Sequence, residues 1–374
     1  MEDLDDILVI SVEQAVAAPY VSGRLAEAGA RVIKVERTDG DFARRYDDFV
    51  QGESAYFVWL NGGKESVRLN LKRESDQQLL ENMLSKADVF IQNLAPGAIS
   101  RIGFDPARLR KDYPRLIVCS ISGYGENGPY RNQKAYDLLI QAESGLCSIN
   151  GSETELARVG VSVSDISAGM TAFQSVLQAL YARHRTGEGR IINVSLFHST
   201  ADWMNVPYLQ HRYGNFTPGR HGLKHPSIAP YGAFECSDGK LILISIQSSR
   251  EWESLCNNVL NAPQLIEDPR FRTNTLRVEN RPELDTLVGR EFAQATRKDI
   301  AESLDAAKIA YGRLSDLKDL CSHPQNRYRG VETAGGPVEL LGRGALITGQ
   351  EQLESLSVPK LGEHDILIRE EFAS

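Results

Sequence analysis

Short apolar runs alternate with stretches of helical periodicity over the first third of the chain. Ile7–Ile10, Val89–Ile91 and Leu116–Ile121 are such runs, and Val32–Val35 is another, interrupted by Lys34. Strands that are apolar throughout are buried on both faces, and their alternation with helices predicts a parallel sheet. Between the first two, Val21, Leu25 and Ala28 share one face of a helix from Pro19 to Ala28, ended by Gly29. Ser75 is placed to cap a second helix bearing Leu79, Leu80, Met83 and Leu84. A longer periodic stretch follows Asp165, with Met170, Phe173, Val176, Leu177, Leu180 and Tyr181 on one predicted stripe. Near residue 215 the texture changes. Gly232–Glu235, a Ser237-Asp-Gly239 turn and Leu241–Ile246 predict a hairpin, and Trp252–Leu260 and Pro282–Ala293 read as helices. From His323 glycine and proline punctuate the chain, which closes in a short helix expected to dock back on the larger domain.

The first strand–helix–strand unit ends on Glu36, as in a dinucleotide-binding fold. Its loop from Ser11 to Pro19 holds no glycine, so a pyrophosphate has no close approach to the backbone. Gly123-Tyr-Gly125-Glu-Asn-Gly128 is a literal GxGxxG, but Pro129 follows and no helix begins before about Tyr136. The fold class is therefore α/β. Residues 1–215 with 325–374 are expected to form a Rossmann-like large domain with a parallel sheet, and 216–324 a smaller α+β domain.

Composition narrows the function by exclusion. A net charge of −8 disfavours nucleic acid as a partner. Five scattered cysteines without a CxxC pair read as reduced residues. No charged-then-apolar leader opens the chain and no apolar run reaches bilayer length, so a cytoplasmic protein without a membrane partner is expected. The histidines make no HxH pair, the His221/His225 pair lies in a Gly/Pro-rich segment not expected to be helical, and no GxSxG elbow exists, so no metal site and no serine hydrolase is expected. What remains is a carboxylate, Asp165, at a helix start. Such a carboxylate is either an N-cap or a reactive group beside unpaired N–H donors and the positive end of the helix dipole.

Eight stretches taken in order decide between these. EQAVAAP (13–19), GARVIKVER (29–37), NLAPGAISRIGF (93–104), SGYGENGPY (122–130), KAYD (134–137), VSDISAGM (163–170), HPSIAPYGAFECSDG (225–239) and VPKLGEH (358–364) together resemble the family III CoA transferases. The resemblance spans essentially the whole chain. It implies an interlocked homodimer, with CoA as substrate and product and no permanently bound cofactor or metal. It also implies that Asp165 is the nucleophile, passing through acyl anhydrides and an aspartyl-CoA thioester. The CoA-binding set it implies is Arg37, Lys72, Asn93, Arg101, Lys134 and Tyr136. Tyr136 and Asp137 match a Tyr-Glu pair that lines the substrate pocket, with Asp in place of Glu.

Two features bear on the substrate. Val16 stands where formyl-CoA transferases carry a substrate-facing Gln, and the glycine-rich lid of those enzymes has no counterpart, which argues against oxalate or formate. EQAVAAP, GDFARRYD (40–47) and YFVWLNGGKES (56–66) instead resemble members acting on mesaconate, itaconate or citramalate with succinyl- or mesaconyl-CoA as donor. Transfer within one diacid is a variant of this reading. A free second carboxylate needs a cation, and the candidates are Arg212, Arg220, His221, Lys224 and His225 of the segment from His211 to His225, with Arg44 and Arg45 besides. The alternatives are an acyl-CoA racemase, disfavoured because Tyr136 replaces its catalytic His, and a non-catalytic CoA-binding scaffold, which has no need of Asp165.

Overall fold

Six parallel strands carry the larger unit of the computed structural model: β1 (Leu8–Val12), β2 (Arg31–Glu36), β3 (Lys64–Arg68), β4 (Val89–Gln92), β5 (Ile117–Ser122) and β6 (Ile191–Ser195). Their spatial order is β3-β2-β1-β4-β5-β6, with every pairing parallel. Residues 3–348 and 355–373 are described. On one face Val9, Val32, Ile91 and Cys119 pack under the first helix (Ala17–Glu27) and a long helix (Val163–Thr186). On the other, Ile10, Ile33, Phe90 and Val118 meet Leu80 and Met83 of the Glu74–Lys86 helix. Both faces are covered, which is why these strands are apolar rather than alternating.

The chain winds outward in opposite directions from β1 and β4. Such a reversal opens a crevice beyond the carboxyl ends of the two strands, where ligands of doubly wound sheets bind.

The structure departs from the sequence reading at several places. Strand β3 is polar in sequence because its inward side chains join a buried charge network, and β6 is an edge strand with only Val194 and Ser195 buried. The second helix starts at Glu74 with Arg73, not Ser75, at its N-cap. In the long helix the buried face is Ala168, Ala172, Val176 and Ala179, whereas Met170, Leu177 and Tyr181 are exposed. Close packing on the first helix explains the offset: a Cβ at Gly169 would lie 2.8 Å from the Tyr20 ring. The punctuated tail forms an antiparallel hairpin, β7 (Tyr328–Thr333) with β8 (Gly336–Leu341). The C-terminal helix Asp365–Glu371 is tied to the main sheet by Arg68–Asp365 at 2.7 Å and Arg31–Glu371 at 2.6 Å.

The second unit comprises Ser148–Ala157 and Gln210–Asn326. It has its own antiparallel sheet, which includes the hairpin Tyr231–Glu235 with Leu241–Ser245, and a core around Trp252, Phe271 and Phe292. Segment 148–157, expected in the large domain, belongs here. Gly222 N–H donates to the Gly151 carbonyl at 2.9 Å, and Arg220 donates to the carbonyls of Ser152 and Glu153.

Candidate active site

The crevice loop after β1 rests on a buried charge network. Lys34 and Lys64 have no exposed side-chain surface. Glu13 Oε1 accepts from Lys64 Nζ at 2.8 Å and Lys34 Nζ at 3.3 Å, and its Oε2 accepts from the Ser11 and Ser22 hydroxyls. Burial alone would raise the Glu13 pKa, but Lys64 and Lys34 hold it well below the usual carboxylate range. Lys34 also donates to Asp41 Oδ2 at 2.9 Å, and Asp41 Oδ1 accepts the Ala15 N–H at 3.1 Å. Ala15 has φ of +64°, a left-handed backbone that costs a non-glycine residue about 1–2 kcal/mol. Asn93, just past β4, clamps the neighbouring residue from the other side. Its Oδ1 accepts the Gln14 N–H at 3.0 Å and its Nδ2 donates to the Gln14 carbonyl at 2.8 Å.

The pinned loop delivers Val16 to the N-cap of the first helix, where no side chain caps the helix. The uncapped N–H groups of that helix therefore lie at the wall that Val16 and Ala17 give to a pocket of about 640 Å³. Asp165 lines the same pocket.

Asp165 is not the N-cap of its helix. Ser162 holds that position without a side-chain bond, and Asp165 is the third helical residue. The capping role is filled from outside by Asp137, whose Oδ1 accepts from the Ser164 N–H at 2.7 Å and the Asp165 N–H at 3.4 Å. Burial, and then the nearby Asp137 charge, push the Asp165 carboxyl up to about 7. A carboxylate deprived of solvent in this way is a stronger nucleophile than a hydrated one, and near neutral pH it is about half ionised. Tyr46 and Tyr56 form the aromatic wall, their rings 5.5 Å apart and edge to face. The Tyr56 hydroxyl pairs with Ser162 Oγ at 3.2 Å.

The expected site residues separate into groups. Val16, Asn93, Lys134, Tyr136 and Asp137 line the Asp165 pocket. Arg37 and Lys72 line an adjoining cavity of about 480 Å³ that shares Gln14 and Leu94 with it. Arg101 lines neither and donates to the Pro96 carbonyl at 3.3 Å. Arg44 makes a bidentate pair with Glu36 and lies 3.7 Å over the Phe57 ring, so it is a structural cation. Arg45 faces Asp39, donating to its carbonyl at 2.9 Å. Arg220 and His225 belong to the second unit, His225 stacked 5.1 Å from Tyr231.

Sequence reasoning passed over Gln14, Tyr46, Tyr56 and Arg158, all of which line the pocket. The tyrosines lay within or beside motifs quoted for the resemblance, but no spacing signalled that they converge on Asp165. Gly123 of the GxGxxG also lines the pocket, and a Cβ there would run into Ala135. Its role is close packing rather than a phosphate turn. No cluster able to hold a metal occurs among the described residues.

A family profile described as CoA-transferase family III matches residues 4–365. The chain belongs to that family. It is 35% identical to an acetyl-CoA:oxalate CoA-transferase of Acetobacter aceti, covering 99% of this chain and 96% of the relative. It is 32% identical to the mouse succinyl-CoA:glutarate CoA-transferase, over 97% of this chain and 85% of the relative. Among solved structures, a CAIB/BAIF family protein from Brucella suis superposes with a TM-score of 0.85 at 30% identity, covering 99% of each chain. The protein is thus an enzyme of the CoA-transferase type. No described helix is long and apolar enough to cross a membrane.

Proposed function

We propose that this enzyme moves CoA between an acyl-CoA thioester and a short dicarboxylic acid, with Asp165 as nucleophile. One observation carries the reading: a half-buried carboxylate, raised to about 7, lines a pocket beside the uncapped start of the first helix. An Asp165 oxygen attacks the thioester carbon, the C–S bond breaks, and CoA leaves as thiolate. The thiolate then attacks the Asp165 carbonyl of the mixed anhydride, which releases the donor acid and forms the aspartyl-CoA thioester. The acceptor carboxylate attacks that thioester, and the returning thiolate attacks the acceptor carbonyl of the second anhydride, freeing Asp165. No net proton moves. Dividing the exchange in this way replaces one difficult displacement by several easier ones.

The oxyanion formed at each attack is assigned to the first N–H groups of the Ala17–Glu27 helix, because Asp137 already occupies the amides at the start of the long helix. The Tyr46 hydroxyl is a second donor. Loss of solvent, with Asp41 and Asp165 nearby, raises its pKa and keeps it protonated. CoA lies with its phosphates toward Arg37 and Lys72 and its thioester in the adjoining Asp165 pocket. Asn93 also serves this site by fixing Gln14.

The dicarboxylate class is supported by relatives named for oxalate and glutarate. The first of these returns oxalate to the candidate acceptors, beside mesaconate, itaconate and citramalate. The acting species is a homodimer, in which a second copy covers the exposed Met170, Leu177 and Tyr181. The testing experiment offers acetyl-CoA or succinyl-CoA with each acid and separates the CoA esters by mass. A new thioester of the acceptor is expected. Release of free CoA without a new thioester would contradict the reading.

A further inference from the structure

We propose that Arg158 selects dicarboxylic acceptors by pairing with the carboxylate that is not activated. The inference rests on the CoA-transfer reading above. Lys134 and Arg158 are the cations that line the Asp165 pocket among the described residues. Lys134 occupies a position matched to CoA contacts, which leaves Arg158 for the acid. Its guanidinium is exposed and donates to the neighbouring Val159 carbonyl at 3.3 Å, with no carboxylate partner among the described residues. Three of the other cations considered for this role are already engaged. Arg44 is held by Glu36 and Arg45 faces Asp39, while Arg220 is bound to two backbone carbonyls.

Arg158 is also held in register with the nucleophile. Gln141, fully buried, accepts the Val159 N–H at 2.9 Å and donates to Asp137 Oδ2 at 2.7 Å. Asp137 Oδ1 in turn accepts the Asp165 N–H. One pair of side chains thus anchors the backbone on either side of the acceptor position. A fork of guanidinium donors beside a backbone anchored to that of Asp165 recognises a second carboxylate bidentately. A monoacid leaves that fork facing an apolar end.

The test uses acetyl-CoA, a donor without a distal carboxylate, and compares succinate with butyrate and glutarate with valerate. Wild type should favour each diacid in kcat/KM. In R158Q that preference should fall by at least about tenfold, mainly through a higher KM for the diacid, and R158K should restore part of it. K134Q should instead raise KM for acetyl-CoA and leave the diacid preference in place. A preference within twofold of wild type in R158Q, or one abolished by K134Q, overturns the assignment while leaving CoA transfer standing. Wild type that exchanges with no acid overturns both.

Discussion

Replacing Asp165 by Asn should end the chemistry and stabilise the protein, the more so as pH rises. Burial and Asp137 raise the Asp165 carboxyl from 3.8 to about 7. Between those values the folded chain keeps a proton that the unfolded chain releases, so this group's contribution to stability falls as pH rises. The contribution is complete below pH 3.8 and lost above about pH 7. At about 1.4 kcal/mol per pH unit, the interval from pH 5 to the folded value is worth up to about 3 kcal/mol. Partial exposure of the side chain trims this to about 2 kcal/mol. The Asn side chain does not titrate. The stability gap between the variant and wild type should therefore widen by about 2 kcal/mol from pH 5 to pH 8. Thermal or urea unfolding of both proteins at the two pH values measures it, and the melting-temperature gap should grow by roughly 2–4 °C. A gap that stays constant or narrows would refute the account of a destabilised nucleophile.

Three further outcomes follow from the same geometry. In D137N the like charge beside Asp165 is gone, so the acid limb of the adduct-formation rate should move to lower pH, while the side chain keeps a capping oxygen and only the charge–dipole contribution, about 0.3–1 kcal/mol, is lost; a pH–rate profile that does not move would count against the coupling. K34M leaves the buried Asp41 carboxylate without its cation and should lower stability by about 3–5 kcal/mol, read from the urea midpoint; a loss below about 1 kcal/mol would show that the network is not needed. Acyl-CoA turned over in heavy water should gain no α-deuterium by NMR, because Tyr136 stands at the position matched to the catalytic His of the racemase; rapid incorporation would favour the racemase.

The sheet was legible in the sequence where its strands are buried on both faces, as in Val89–Ile91 and Leu116–Ile121. It was not legible at β3, where Lys64 and Ser66 point into a charge network that local hydrophobicity reads as a loop. The long helix was found but its face was misjudged, because close helix packing selects Ala168 and Ala172 over Met170 and Leu177. Asp165 stood out in the sequence, and the structure places it in the wall of a pocket. The arrangement around it was hidden. No local pattern reveals that Asp137 caps a helix 26 residues downstream of it, starting at Val163, or that Asn93 clamps Gln14 across the crevice. Arg44 looked like a free cation only because its partner Glu36 lies on another element.

The most direct test of Asp165 is the mass of the protein itself after incubation with an acyl-CoA and no acceptor. The account predicts a fraction of the enzyme heavier by CoA less one water, mapping to the peptide that contains Asp165. Hydroxylamine should convert it to a hydroxamate, and D165N should show neither adduct nor transfer. Steady transfer with an unmodified wild-type mass, or substantial turnover by purified D165N, would contradict the central claim.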